Sequence, residues 1–295
     1  MATAYLFHYL DWDLDSKQER LSNGTYLCDM QNSNVKKLYE KFCHEFGCDH
    51  SEPFDYNVFA FFDDNQNTDF CKKEPDSHIS FLCNSLVICL KQPIGMCRMI
   101  EIDESTNALI HSDMEFEYTS QTHEFIAKNG SASISNYNIQ SIKDCYNNIC
   151  EISDNKNIKN KIIFAISYYY RSWTAHYLEE TCVNLAIVLE TLFNPNTKNE
   201  LSHQISYNFA CFLGKTPNQK EELYDFCKKF YSLRSKIVHG SVPNQNKLVD
   251  IIPLMFNYCS DALREILSSK ELISIFQNCK TKSEYFKKKL FFNKD

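Results

Sequence analysis

Apolar residues follow two different rhythms along this chain. In the C-terminal half they recur at helical spacing. Within "NQKEELYDFCKKFYSLRSKIVHG", Leu223, Phe226, Phe230, Leu233 and Ile237 step by 3, 4, 3 and 4, which predicts one buried seam on an amphipathic helix. "LEETCVNLAIVLETLF" places Cys182, Leu185, Leu189 and Leu192 on one helical face and is stopped by "NPN". "NIKNKIIFAISYYYRSW", "NELSHQISYNFACFLG" and "KLVDIIPLMFNYCSDALREILSS" predict three more helices, and "KELISIFQNC" and "SEYFKKKLFF" two short ones. Five or more helices with short connections predict an all-α bundle.

The N-terminal half reads as mixed α and β. "TAYLFHYL" and "YNVFAFF" predict strands rich in aromatics. "NVKKLYEKFCHEFG" has helical spacing at Val35, Leu38, Phe42 and Phe46 and closes at Gly47. "HISFLCNSLVICLK" is an apolar run whose pattern fits a helix or a strand. "MEFEYTSQTHEFIAKNG" alternates and ends in a turn dipeptide. Between the halves, "NGSASISNYN" is small and polar, the best linker candidate. The expected organisation is an α+β domain over residues 1–135 followed by an all-α domain over 141–295.

Charge sharpens this division. The net charge is −7, yet residues 1–140 hold 10 Lys+Arg against 22 Asp+Glu, and residues 141–295 hold 21 against 16. The basic half can attract a polyanion; the acidic half repels one. Hydrophobic content of 43% with only six Gly and seven Pro fits a globular, helix-rich chain. No segment reaches the roughly 20 apolar residues that span a bilayer. The N-terminus has no basic start and turns acidic at once, so no secretory leader is expected. The fourteen cysteines are then expected as reduced, mostly buried thiols of a cytoplasmic protein. "CHEFGCDH", with Cys43, His44, Cys48 and His50, is the nearest approach to a metal cluster. It lacks a second ligand pair at a matching distance, so no metal is expected. No phosphate-binding Gly-rich loop, dinucleotide fingerprint or His-Glu-x-x-His occurs, and no cofactor is expected.

Candidate chemistry concentrates in "LRSKIVHG". Arg234 and His239 stand five apart, just before Gly240, a glycine placed to turn the chain left-handed at a helix end. An imidazole can move a proton near neutrality, and a guanidinium can hold charge on a phosphorane. Together they suit cleavage of RNA by its own 2′-hydroxyl, without metal. The structural alternative is a helix end carrying favourable cations. Spacing alone does not separate the two readings, because "RSWTAH" places Arg171 and His176 at the same distance.

The run "NLAIVLETLFNP", "NELSHQISYNFACFLG", "LYDFCKKFYSLRSKIVHG" resembles the HEPN superfamily, in its ApeA-like branch, over about 60 residues from Leu178 to Gly240. The resemblance implies a helical bundle that pairs, with two Arg-x4-His motifs meeting at the dimer interface. It implies a metal-independent endoribonuclease, a toxin or effector of bacterial anti-phage defence acting by abortive infection. Carried onto this chain, Arg234 and His239 are the implied catalytic pair and Ser235 the polar side chain that supports them. Glu190 is the implied acid that orients Arg234; a packing or surface role is the alternative. Lys236 is a candidate contact to RNA phosphate, or a solvated charge. Some members that work with a nucleotidyltransferase antitoxin carry a Tyr two residues after the motif His; here that position is Ser241, against that subclass. The expected partners are RNA, a second copy of the chain, and an antitoxin or phage-derived trigger at the N-terminal domain. The alternative function is a non-catalytic HEPN module that binds RNA or protein through the same cleft.

Overall fold

The computed structural model describes residues 2–8, 10–22, 24–29, 58–63, 75–92, 94–103, 108–112, 131–154, 160–194, 201–241 and 243–292. The chain divides into two compact units, Met1–Cys150 and Glu151–Asp295. Among the described residues it is predominantly helical, with its sheet in the first unit. No helix among them is long and apolar enough to cross a membrane.

The first unit carries eight described strands: β1 (Ala2–His8), β2 (Leu10–Asp13), β3 (Gln18–Ser22), β4 (Thr25–Asp29), β5 (Val58–Asp63), β6 (Gly95–Asp103), β7 (Ala108–Ser112) and β8 (Ala132–Ser135). Six form an antiparallel sheet in the order β3-β4-β5-β1-β6-β7. Register explains its buried face. Tyr5 pairs with Ala60 and Ala60 with Leu27; Phe7 pairs with Val58 and Val58 with Asp29. All six are buried, in two adjacent rows, as a period of two requires.

The apolar run open to either reading is a helix, α1 (Pro75–Leu90). Its length settles the matter, since a continuous run of sixteen residues exceeds an ordinary strand. A further helix, α2 (Ile139–Asp154), was not expected from the sequence. A buried hydroxyl chain ties it in. Tyr146 Oη lies 2.9 Å from His78 Nδ1 on α1 and 3.2 Å from Thr25 Oγ1 on β4. The segment expected as a linker contains β8, which pairs in parallel with β2. The two compact units divide later, within α2. The expected helix at 34–47, the "CHEFGCDH" cluster and the alternating stretch at 114–130 lie outside the described residues.

The second unit follows the helical periodicity closely: α3 (Lys161–Trp173), α4 (Leu178–Phe193), α5 (Leu201–Leu213), α6 (Pro217–Val238), α7 (Gln245–Leu267), α8 (Lys270–Gln277) and α9 (Cys279–Phe292). Helix α4 is central and packs on α3, α5, α6 and α7. Its predicted face, Cys182, Leu185, Leu189 and Leu192, is buried throughout. At one end Trp173 stacks on Phe256 at 3.8 Å, with Tyr169 edge-on to both. Elsewhere Phe193 gathers Phe209, Phe212, Phe276 and Phe286 around it. Apart from the Trp173–Phe256 stack and the tilted Phe193–Phe212 pair, these rings meet edge to face, a favoured arrangement of ring quadrupoles.

Candidate functional site

Helix α6 is well defined at both ends. At its start Thr216 Oγ1 accepts from the Gln219 amide and Gln219 Oε1 accepts from the Thr216 amide, a capping box, with Pro217 as the first helical residue. At its finish Gly240 adopts φ +76. The Ser241 amide donates to the Lys236 carbonyl at 2.8 Å and the Gly240 amide to that of Ile237 at 3.0 Å. This pair of bonds is a Schellman motif, which satisfies carbonyls that the helix end would otherwise leave open. The left-handed turn expected at Gly240 is therefore present.

The seam expected on α6 holds in part. Leu223, Phe230 and Leu233 are buried, whereas Phe226 and Ile237 are only half-buried. Cys227 and Tyr231, which the expected seam left out, are buried. The buried stripe is thus rotated toward 227 and 231, and the next step along it is Arg234. That rotation, invisible in a count of Leu and Phe, turns Arg234 toward α4.

There it meets Glu190. Arg234 Nη2 lies 3.1 Å from Glu190 Oε1, with side chains 30% and 25% exposed. The approach is an ion contact and not an aligned hydrogen bond, because Glu190 Oε1 and Arg234 Nε are both buried without a hydrogen-bond partner. The hydroxyl of Tyr231, one turn before Arg234, is buried and unpartnered beside them. Burial raises the ionisation of Tyr231 well above the ordinary phenol range; the charge of Glu190 raises it further and Arg234 opposes. On the other side, burial pushes the Cys182 thiol up to about 12, with Arg234 again opposing. Arg234 is therefore a cation held in a partly desolvated setting by one carboxylate, where an ion pair is screened less than at the surface.

His239 occupies a different position. It is the C-cap of α6, with near-helical φ −89 and ψ 14, its side chain exposed and its amide donating to the Ser235 carbonyl at 3.1 Å. Five residues along a helix are about 140° and about 7.5 Å apart. Among the described residues no hydrogen bond or ion pair joins Arg234 to His239. One chain therefore presents the two groups on different faces. Ser235 and Lys236 are exposed; the Ser235 carbonyl accepts from the His239 amide and the Lys236 carbonyl from the Ser241 amide.

The second Arg-x4-His segment runs from the last turn of α3 into the connection before α4. Arg171 is exposed in the last turn of α3, 5.2 Å from the centre of the Tyr168 ring, and His176 is exposed just before α4. Gln245 Nε2 donates to Glu179 Oε1 at 2.5 Å, which ties the first turn of α7 to that of α4. The connections that bear His176 and His239 lead into these two tied turns.

Tyr231 escaped the sequence reading. Its spacing to Cys227 and Arg234, four and three residues, was the available signal. Among the described residues no group of three or more His, Cys, Asp or Glu is arranged to hold a metal. No family model, curated protein or solved structure matches the chain.

Proposed function

We propose that the chain is a HEPN-type endoribonuclease that cleaves RNA by attack of the 2′-hydroxyl on the adjacent phosphate. The observation that carries the reading is the Glu190–Arg234 ion contact between α4 and α6, on a helix that a left-handed glycine stops directly after His239. Arg234 is oriented by a carboxylate and keeps donors for a phosphorane oxygen. His239 is exposed and able to exchange a proton with the 2′-oxygen or the leaving 5′-oxygen. The products are a 2′,3′-cyclic phosphate and a 5′-hydroxyl. Because the two groups face apart on one helix, the complete site needs His239 and Arg234 from two copies, so the active species is a dimer. Ser235 and Lys236, both exposed, are the neighbouring candidates for contact with RNA. The first unit, bearing the acidic half of the chain, is the seat of a trigger or antitoxin. The whole fits a cytoplasmic toxin or effector of bacterial anti-phage defence.

The test is purified full-length protein on total RNA in EDTA. Cleavage with cyclic phosphate ends is expected. It is expected to vanish in Arg234→Ala and in His239→Ala, and to persist in Arg171→Ala. Cleavage that requires magnesium overturns the mechanism. The separation of Arg234 from His239 in one chain also favours a second reading, a non-catalytic module. RNA bound tightly by a dimer without cleavage decides for it.

A further inference from the structure

Of the ten cysteines whose side chains are described nine are buried, and burial holds the thiols of Cys28, Cys83, Cys182 and Cys227 up at about 12. Cys279 differs in three ways. It is half-exposed. It is the first residue of α9, whose start is organised by Asn278: the Asn278 Oδ1 accepts from the Lys280 amide at 2.8 Å and the Asn278 carbonyl from that of Lys282 at 3.0 Å. And Lys161 Nζ, from the first residue of α3, contacts Cys279 Sγ.

A second cation closes the cluster. Lys282 is 1% exposed and its ammonium donates to the Thr191 carbonyl at 2.7 Å. Its ionisation is lowered to about 8, first by burial, then by the charge of Lys161, with Cys279 acting in the opposite sense. Both lysines sit in the first turn of a helix, the end where a cation is disfavoured. Among the described residues no carboxylate forms an ion pair with either. Two cations at two positive helix ends, one of them buried, call for an anion. The sulfur of Cys279 is the group placed to supply it.

We propose that Cys279 is a thiol-modification site that exchanges with small-molecule disulfides. The Cys279 thiolate attacks one sulfur of the disulfide. A new S–S bond forms as the old one breaks, and the other half leaves as a thiolate that takes a proton from water. Cys279 is oxidised as the disulfide is reduced, and no further reactant is needed. Lys161 is the positioning residue: it favours the thiolate and holds it at the surface, as cationic neighbours and helix N-termini do for reactive cysteines. Reaction removes the negative charge between the two lysines and forces them to rearrange.

The experiment treats the full chain with oxidised glutathione, quenches with an alkylating reagent and maps each cysteine by peptide mass. Cys279 is expected to react first among the described cysteines, at least about tenfold faster at pH 7 than any of them. Its rate is expected to rise with pH around a midpoint below the ordinary thiol value of about 8.5. Lys161→Met is expected to slow it about tenfold, while Lys161→Arg and the exposed control Lys280→Met leave it within about threefold. Cys182 and Cys259 should stay unmodified in every variant, which separates a local effect from unfolding. Reaction of Cys279 no faster than the buried cysteines, or a wild-type midpoint at or above about 8.5, overturns the proposal.

Discussion

Glu190 and Arg234, 44 positions apart in the chain, stand 3.1 Å apart across α4 and α6. The contact joins the central helix of the second unit to the helix that ends in His239. Replacing Glu190 by Gln keeps the shape and removes the charge. We expect RNA cleavage to fall about tenfold or more as Arg234 loses its orientation. Stability should fall by about 1 kcal/mol, the scale of a half-exposed pair. Urea midpoints and cleavage rates on the same preparations check both; unchanged cleavage would show that the carboxylate serves packing only.

Arg234→Ala and His239→Ala should separate in stability while agreeing in activity. Removing the guanidinium leaves Glu190 Oε1 buried without its cation, which costs about 1–3 kcal/mol. His239 is exposed, and its loss should fall within about 0.5 kcal/mol of the wild type. Both should lower cleavage by about 10²-fold or more. Equal unfolding midpoints for the two variants would contradict the partly buried setting of Arg234.

Two glycines should respond to alanine for different reasons. A Cβ at Gly240 meets nothing within 4 Å, so Gly240→Ala suffers only from φ +76 and should cost about 1 kcal/mol. A Cβ at Gly214 would fall 2.8 Å from the Ala210 carbonyl oxygen, part of the backbone. Backbone cannot swing aside as a side chain can, so Gly214→Ala should cost more than Gly240→Ala. Thermal unfolding of the two variants gives the order directly.

Lys282 predicts a pH dependence. Its ionisation is lowered from 10.5 to about 8 in the fold, chiefly by burial. Between pH 8 and 10.5 the unfolded chain holds this proton and the folded chain does not, so stability from this residue rises with pH through that window. Below pH 8 both states are protonated and a constant penalty remains, on the order of 3 kcal/mol. Lys282→Met removes the titration and also the bond to Thr191. The stability of the variant relative to wild type should therefore be greatest near pH 7 and decline toward pH 10.5. A difference that stays flat across pH 7 to 10.5 would contradict it.

Much of the second unit was legible because its helices bury one face and expose the other. The limits of α4 could be read from a run of apolar positions and "NPN", and the end of α6 from Gly240. The first unit was harder. Its central strands β1 and β5 announced themselves with aromatics, but β3 and β4 are short and carry Gln18, Glu19 and Arg20 among their apolar residues. Helix α2 hid behind a polar stretch whose own residues Ala132–Ser135 are a strand. At the site, residue types named Glu190 and Arg234 through resemblance, while their contact depends on how far α6 is rotated. That rotation shows in Cys227 and Tyr231 being buried while Phe226 and Ile237 are only half-buried.

The bond from Lys282 to the Thr191 carbonyl has a practical consequence. Thr191 directly follows Glu190, so α9 clamps the very turn of α4 that grips Arg234. A protein shortened before Cys279 would lose more than a basic, aromatic tail. Its α4 would fray from the end, and with it the anchor of a guanidinium 48 positions upstream of the lysine that was cut away.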